Sequence, residues 1–220
     1  MTSASRLARA ATLVSGVALV ACSAAAPPIE PARALPADAH RLIDAGAAVD
    51  DAHEPYARRT WRHWIDADHD CQDTRDEVLI AESEVPVEYA DPRHCKVTRG
   101  RWTCPYTGNV VTDPAELDID HVVPLENAHV SGGWRWSSER KRAFANDLEH
   151  PEHLIAVLAR ANRQKGSKSP ERWMPPNRAF RCNYIEAWRS IKARWSLSET
   201  PDEVTAIKAQ MAACGVASEG

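Results

Sequence analysis

The chain has 220 residues, with 27 Lys and Arg against 31 Asp and Glu and a formal net charge of −4. That length suits one domain with accessories and allows a real core, while the overall acidity excludes a binder that holds polyanions by net charge alone. Eight Trp against two Phe is an unusual aromatic balance; indoles, with their polar N–H, suit half-buried positions and groove edges.

The N-terminus reads as an export signal. Arg6 and Arg9 give a positive start, and Ala10–Val20 is apolar but too short to span a bilayer. It ends in Leu19-Val20-Ala21-Cys22, which resembles a bacterial lipobox, so that residues 1–22 form a lipoprotein signal and Cys22 becomes the lipidated residue. Plain cleavage among Ala24–Ala26 is the alternative, less favoured because Cys is unusual there. Both place the mature chain outside the cytoplasm, and the first makes the membrane a partner through a lipid anchor. Residues 23–38 are rich in Ala and Pro without helical period, a disordered tether, and residues 39–214 form the domain.

In chain order, a short helix is expected over Ala37–Asp51, and Tyr56–Trp64 brings aromatic and Arg residues together. Asp73–Ser83 reads as helical. Residues 94–97 and 101–104 flank a Thr-Arg-Gly turn and predict a small hairpin, followed by a turn at Pro105-Tyr106-Thr107-Gly108. Leu117–Val123 alternates between prolines and predicts a strand, and His153–Val157 a second. Ser137 or Ser138 can cap a helix reaching Asp147, Leu158–Lys165 predicts a short helix closed by Gly166, and Asn177–Trp195 is the longest helix by its apolar spacing. Thr200-Pro201-Asp202-Glu203 is a capping box that opens a last helix to Ala213. The fold class is α+β, mainly helical.

Five cysteines follow Cys22. In an oxidising compartment they predict disulfides, and no Cys-x-x-Cys pair suggests a zinc ribbon. Cys182–Cys214, tying the last two helices, and Cys71–Cys95 are the preferred pairs, leaving Cys104 free; Cys95–Cys104 competes with the second. Charge is divided along the chain: Ala24–Ser138 holds 11 basic and 21 acidic residues, Glu139–Trp195 holds 13 basic and 6 acidic. The second block can neutralise phosphates or be a solvated helical face.

The chemistry gathers at Asp118-Ile119-Asp120-His121. On a strand the two Asp face one side and His121 the other. A carboxylate that holds a divalent cation and a neutral His that activates water are the two elements phosphodiester hydrolysis needs. If the second strand pairs with the first, the helix after it brings Asn162 back beside Asp120 as an oxygen ligand, with Lys165 and Lys168 as phosphate contacts. Arg75 is a phosphate or scaffold contact.

The Asp-x-Asp-His-x-x-Pro-Leu run, with Asn-x-x-Lys-Gly beyond a second short strand, resembles the HNH ββα-metal nucleases. The resemblance implies a ββα-metal core with additional helices and a small hairpin, His121 as general base, Asp120 and Asn162 as metal ligands, and Mg²⁺ or Mn²⁺ as cofactor. It puts the supporting middle residue on His153, with Asn146 as rival. Cys71–Arg75, Pro105–Gly108, Phe144–Asp147, Asn162–Pro170, Trp173–Pro176 and Cys182–Trp188 together look like secreted HNH-type proteins related to the C-terminal nuclease domain of GmrSD restriction enzymes. The long insertion between Pro124 and His153 departs from minimal HNH sites. The expectation is an endonuclease acting on DNA, with RNA as a second candidate substrate, and without a small-molecule cofactor. The alternative is a non-catalytic envelope lipoprotein that binds an anionic polymer or a protein. Asp66, Asp68 and Asp70 suggest a Ca²⁺ loop, although Cys71 stands where an EF-hand needs Gly; a solvated acidic loop is the default.

Overall fold

Asp73 starts the first helix. Its carboxylate accepts hydrogen bonds from the N–H groups of Arg75 and Asp76, and α1 runs Thr74–Glu82. The structure, a computed structural model, describes residues 54–215. The signal, Cys22, the tether and the helix expected at Ala37–Asp51 lie outside the described residues.

After α1 come two small antiparallel ladders. β1 (Glu88–Tyr89) pairs with β2 (Val97–Arg99), and β3 (Trp102–Thr103) pairs with β4 (Val110–Val111). The expected hairpin between residues 94–97 and 101–104 is therefore not formed. At Gly100 the chain passes so close to the Trp102 ring that a Cβ would stand 2.4 Å from Cη2. Residues before it pair backward and residues after it pair forward, through the turn at Pro105–Gly108 in which Gly108 adopts φ 75°.

β5 (Leu117–His121) pairs antiparallel with β6 (Leu154–Leu158), in a register that sets Leu117 opposite Leu158 and His121 opposite Leu154. Between them lie α2 (Leu125–Val130) and α3 (Ser138–Ala145), the latter capped by Ser137 as its sequence suggests. α2 carries no sequence signal: it is six residues long and has no side-chain cap. α4 (Ala159–Lys165) follows β6 directly, packs on both strands, and ends at Gly166 with φ 55°. β6 is buried at all five positions, with α1 also packed against it. α5 (Arg181–Trp195) and α6 (Pro201–Ala213) close the fold, α6 with the expected capping box.

Both preferred disulfides are present, Cys71–Cys95 and Cys182–Cys214, and Cys104 is a free, buried thiol. The core gathers Trp61, Trp102, Trp188, Tyr106, Tyr184 and Phe144 around the β5–β6 pair. Among the described residues, no helix is long and apolar enough to cross a membrane.

Candidate functional site

Strand alternation divides the Asp118–His121 run between two faces. Asp118 and Asp120 face α4. Because α4 begins immediately after the residue paired with Leu117, it runs back along β5, and its first turn stands over Asp118. The Asn162 side-chain nitrogen accordingly donates to Asp118 Oδ2 at 3.1 Å. One turn later Lys165, wholly buried, places its ammonium 3.0 Å from Asp120 Oδ1 and 2.8 Å from Oδ2, and it also donates to the His121 carbonyl at 2.9 Å. The Tyr106 hydroxyl donates to Asp120 Oδ2. Burial pushes the Asp120 carboxyl up and the Lys165 ammonium down, and each opposes the shift of the other. Burial, with Asp120 beside it, raises Tyr106 well above its usual value, so it remains a donor.

His121 faces the other way, toward α3 and the segment before α1. Its Nε2 lies 3.0 Å from the Ala145 carbonyl oxygen. A carbonyl accepts only from a protonated nitrogen, so in the neutral ring Nδ1 carries the lone pair. Burial first, then His153, pushes His121 well below the usual imidazole range, so it is neutral at pH 7. Trp64 stacks over it at 5.6 Å between ring centroids and an interplanar angle of 26°. Trp64 takes φ 57°, a left-handed conformation uncommon for a bulky residue. His63 lies edge-on to His121 at 6.5 Å and His153 at 6.3 Å.

Asn146 at the end of α3 holds this face together. Its side-chain nitrogen donates to the carbonyls of Arg62 and Arg142, and its oxygen accepts from the Ile65 N–H and the Thr74 hydroxyl. It thereby fixes both the segment that carries Trp64 and the helix end that carries the Ala145 carbonyl.

The expected site residues thus fall into separate roles. Asn162 comes back to β5 as anticipated, but beside Asp118 rather than Asp120, because the register of β6 decides which turn of α4 meets which Asp. Lys165 is no phosphate contact in this arrangement; it neutralises Asp120. Lys168 is exposed, its ammonium on the Gln164 carbonyl. Arg75 is a scaffold contact, donating to the Pro114 and Leu117 carbonyls at 2.8 and 2.9 Å. His153 is buried behind His121, 3.6 Å from Asp147, with its titration pushed down to about 4 by burial against the opposing pull of Asp147. It can support the site but not touch a substrate. Trp64, Tyr106 and the Ala145 carbonyl are not evident from sequence. Tyr106 lies inside a turn that stands out in the sequence, but nothing in that turn reveals a partner on β5.

The donors expected to hold a divalent ion do not fit one together here. A cation on Asp120 would stand against the Lys165 ammonium, and Asn162 turns its amide nitrogen to Asp118. Asp118 and Asn162, both only half-buried, are the oxygen donors left available. Elsewhere, one oxygen from each of Asp66, Asp68 and Asp70 lies within 4.8 Å of the others, in a mostly exposed loop.

Fold and site define a disulfide-bonded α+β domain whose polar groups collect on a strand pair and the helix that crosses it. The chain belongs to the family described as GmrSD restriction endonucleases, C-terminal domain, whose model matches residues 73–209. It is also similar to an "Uncharacterized secreted protein" of Arthroderma benhamiae, 38% identical over 160 residues that cover 72% of this chain and 76% of the relative. No solved structure matches it.

Proposed function

We propose that this protein is an extracellular endonuclease that hydrolyses phosphodiester bonds of DNA, with RNA as a second candidate substrate and His121 as general base, on a ββα-metal core of the HNH kind built from β5, β6 and α4. The observation that carries the reading is the His121 ring: buried, neutral, with Nε2 spent on the Ala145 carbonyl and the lone pair on Nδ1. A base must be unprotonated and held in one orientation, and this His is both. Family membership and the name of the fungal relative support the nuclease and extracellular parts of the reading. Membrane attachment through Cys22 is part of the same proposal.

Asp118 and Asn162, across the strand from His121, are the oxygen donors that would hold a Mg²⁺ or Mn²⁺ ion, and such an ion would supply charge stabilisation to a bound phosphate. Tyr106 and Lys165 hold Asp120 rigid beneath them. The test is digestion of plasmid and of single-stranded DNA with Mg²⁺ or Mn²⁺, with and without chelator. His121→Ala is expected to lose about 100-fold or more, the scale of a general base. Equal activity in wild type and variant would sink the assignment. Asp118→Ala should abolish the metal response at near-native stability, whereas Asp120→Ala, which strands a buried ammonium, should first cost stability. The reverse order would return the ion to Asp120, with Lys165 displaced.

The closed Asp120–Lys165 pair also favours a second reading, a non-catalytic binder of anionic polymer on the same fold. Salt-sensitive binding without cleavage in any metal would select it.

A further inference from the structure

The segment before α1 lies outside the residues that match the family, yet it covers the proposed base. It is a built element rather than a loose flank. Trp61 is fully buried against Phe144, Trp136 and His129, the His129 ring donates to the Glu54 carbonyl at 2.7 Å, and Asn146 pins the backbone at Arg62 and Ile65. His63 is locked as well. Its Nδ1 lies 2.8 Å from the Trp61 carbonyl oxygen, so Nε2 accepts from the Arg58 guanidinium at 3.4 Å.

Within it, the stretch Arg58–Trp64 turns basic groups outward. Arg58, Arg59 and Arg62 are all exposed, and among the described residues no acid pairs with any of them. Trp64 is half-exposed, so one side of its indole rests on His121 while part of the residue meets solvent. Three guanidiniums without an acidic partner among the described residues, next to an anchored aromatic plane, are the two parts of a single-strand binding surface: cations that track phosphates and a π-face that accepts an unstacked base. A duplex offers no free base to the indole. In sequence the arginines precede Trp64 and the acidic stretch that begins at Asp66 follows it, so the charge along the chain favours a phosphate backbone over Arg58–Trp64 rather than beyond it.

We propose that residues Arg58–Trp64 form a single-stranded nucleic-acid binding arm, in which Trp64 stacks a base beside the bond presented to His121 and Arg58 and Arg62 hold flanking phosphates. The proposal rests on the nuclease reading for the role of His121, but its binding part is measured without cleavage.

The experiment uses the exported protein in chelator and follows the anisotropy of a fluorescein-labelled 12-nucleotide single strand and of a duplex of the same sequence. Single-strand binding is expected to be at least about tenfold tighter. Trp64→Ala should lose about tenfold on the single strand and little on the duplex, while Trp64→Phe retains binding. Arg58→Ala with Arg62→Ala should lower the logarithmic salt slope by about 1.4, as for two lost single-strand phosphate contacts. Melting temperatures check that the variants fold, and Trp64→Leu, which keeps apolar bulk but has no π-face, replaces Trp64→Ala if the latter does not, with the same loss expected. Equal affinity for strand and duplex, or for Trp64→Ala and wild type, overturns the proposal. Cleavage assays separate the two readings. A wild type that cuts with a KM indifferent to Trp64 and the arginines removes the arm and leaves the nuclease. Trp64-dependent binding without cleavage in any metal removes the nuclease and leaves the arm.

Discussion

His121 and His153 illustrate how burial sets both chemistry and stability. Each is held neutral in the folded chain, because an imidazolium among Phe144 and its indole neighbours lacks the solvation it has in water. Their folded titrations lie below the unfolded value near 6.5, that of His153 at about 4. The unfolded chain therefore takes up protons first as pH falls. The stability these groups contribute is present above about 6.5 and is lost progressively toward 4. We expect His153→Asn to flatten the fall in melting temperature between pH 6.5 and 4; an unchanged slope would show that His153 is not the group responsible. Asn146 acts by geometry instead. Its replacement by Ala leaves the part-buried Ile65 N–H without its acceptor and removes one of the two acceptors of the Thr74 hydroxyl, at a cost of about 1–3 kcal/mol in urea unfolding. It should also lower kcat, since the Ala145 carbonyl and the Trp64 segment both depend on it.

At the scale of elements, two carboxylates bind neighbours that sequence spacing does not reveal. Glu82, near the end of α1, accepts from the Ala156 N–H at 2.8 Å and so caps the edge of β6 that β5 leaves unpaired. Burial raises its titration to about 7. With the folded value above the unfolded one, its contribution is complete below about 4.5 and is lost as pH rises through 7. Glu82→Gln keeps an acceptor for Ala156 and should remove that alkaline loss, seen as a flatter melting profile from pH 5 to 8. Glu203 has a heavier task. Besides the capping box with Thr200, it accepts from the Trp188 indole at 2.6 Å and pairs with the buried Lys192 ammonium at 2.8 Å. Glu203→Ala leaves that ammonium uncompensated and is expected to cost about 3–5 kcal/mol, read as a lower urea midpoint. The capping box is legible as four adjacent residues; the tie to α5 is not, because it joins side chains that are distant along the chain.

Over the whole molecule, local signals are the readable ones. The Asp73, Ser137 and Thr200 caps, the closure at Gly166 and the alternation of β5 all depend on neighbours in sequence. Pairing choices are harder. The stretch around Gly100 contains two strands, but their partners are fixed by Trp102 packing and by the turn at Pro105–Gly108. The site is legible as a set of residue types and as two faces of a strand. It is not legible as a register, and the register gives Asn162 to Asp118 and Lys165 to Asp120.

The two disulfides share a property that bears on when the protein becomes complete. Cys71 precedes and Cys214 follows the family-matched residues 73–209, while Cys95 and Cys182 lie inside them. Each bond therefore stitches one flank to the matched body, and the first stands at the root of the segment that lays Trp64 over His121. A newly made chain in a reducing compartment lacks both stitches and holds its flanks by noncovalent contacts alone. On the reading proposed above, of an exported nuclease, oxidation after export acts as a maturation step: it fixes in place a covering that the matched family region does not contain, on the side of the membrane where the protein's own cell keeps no genome.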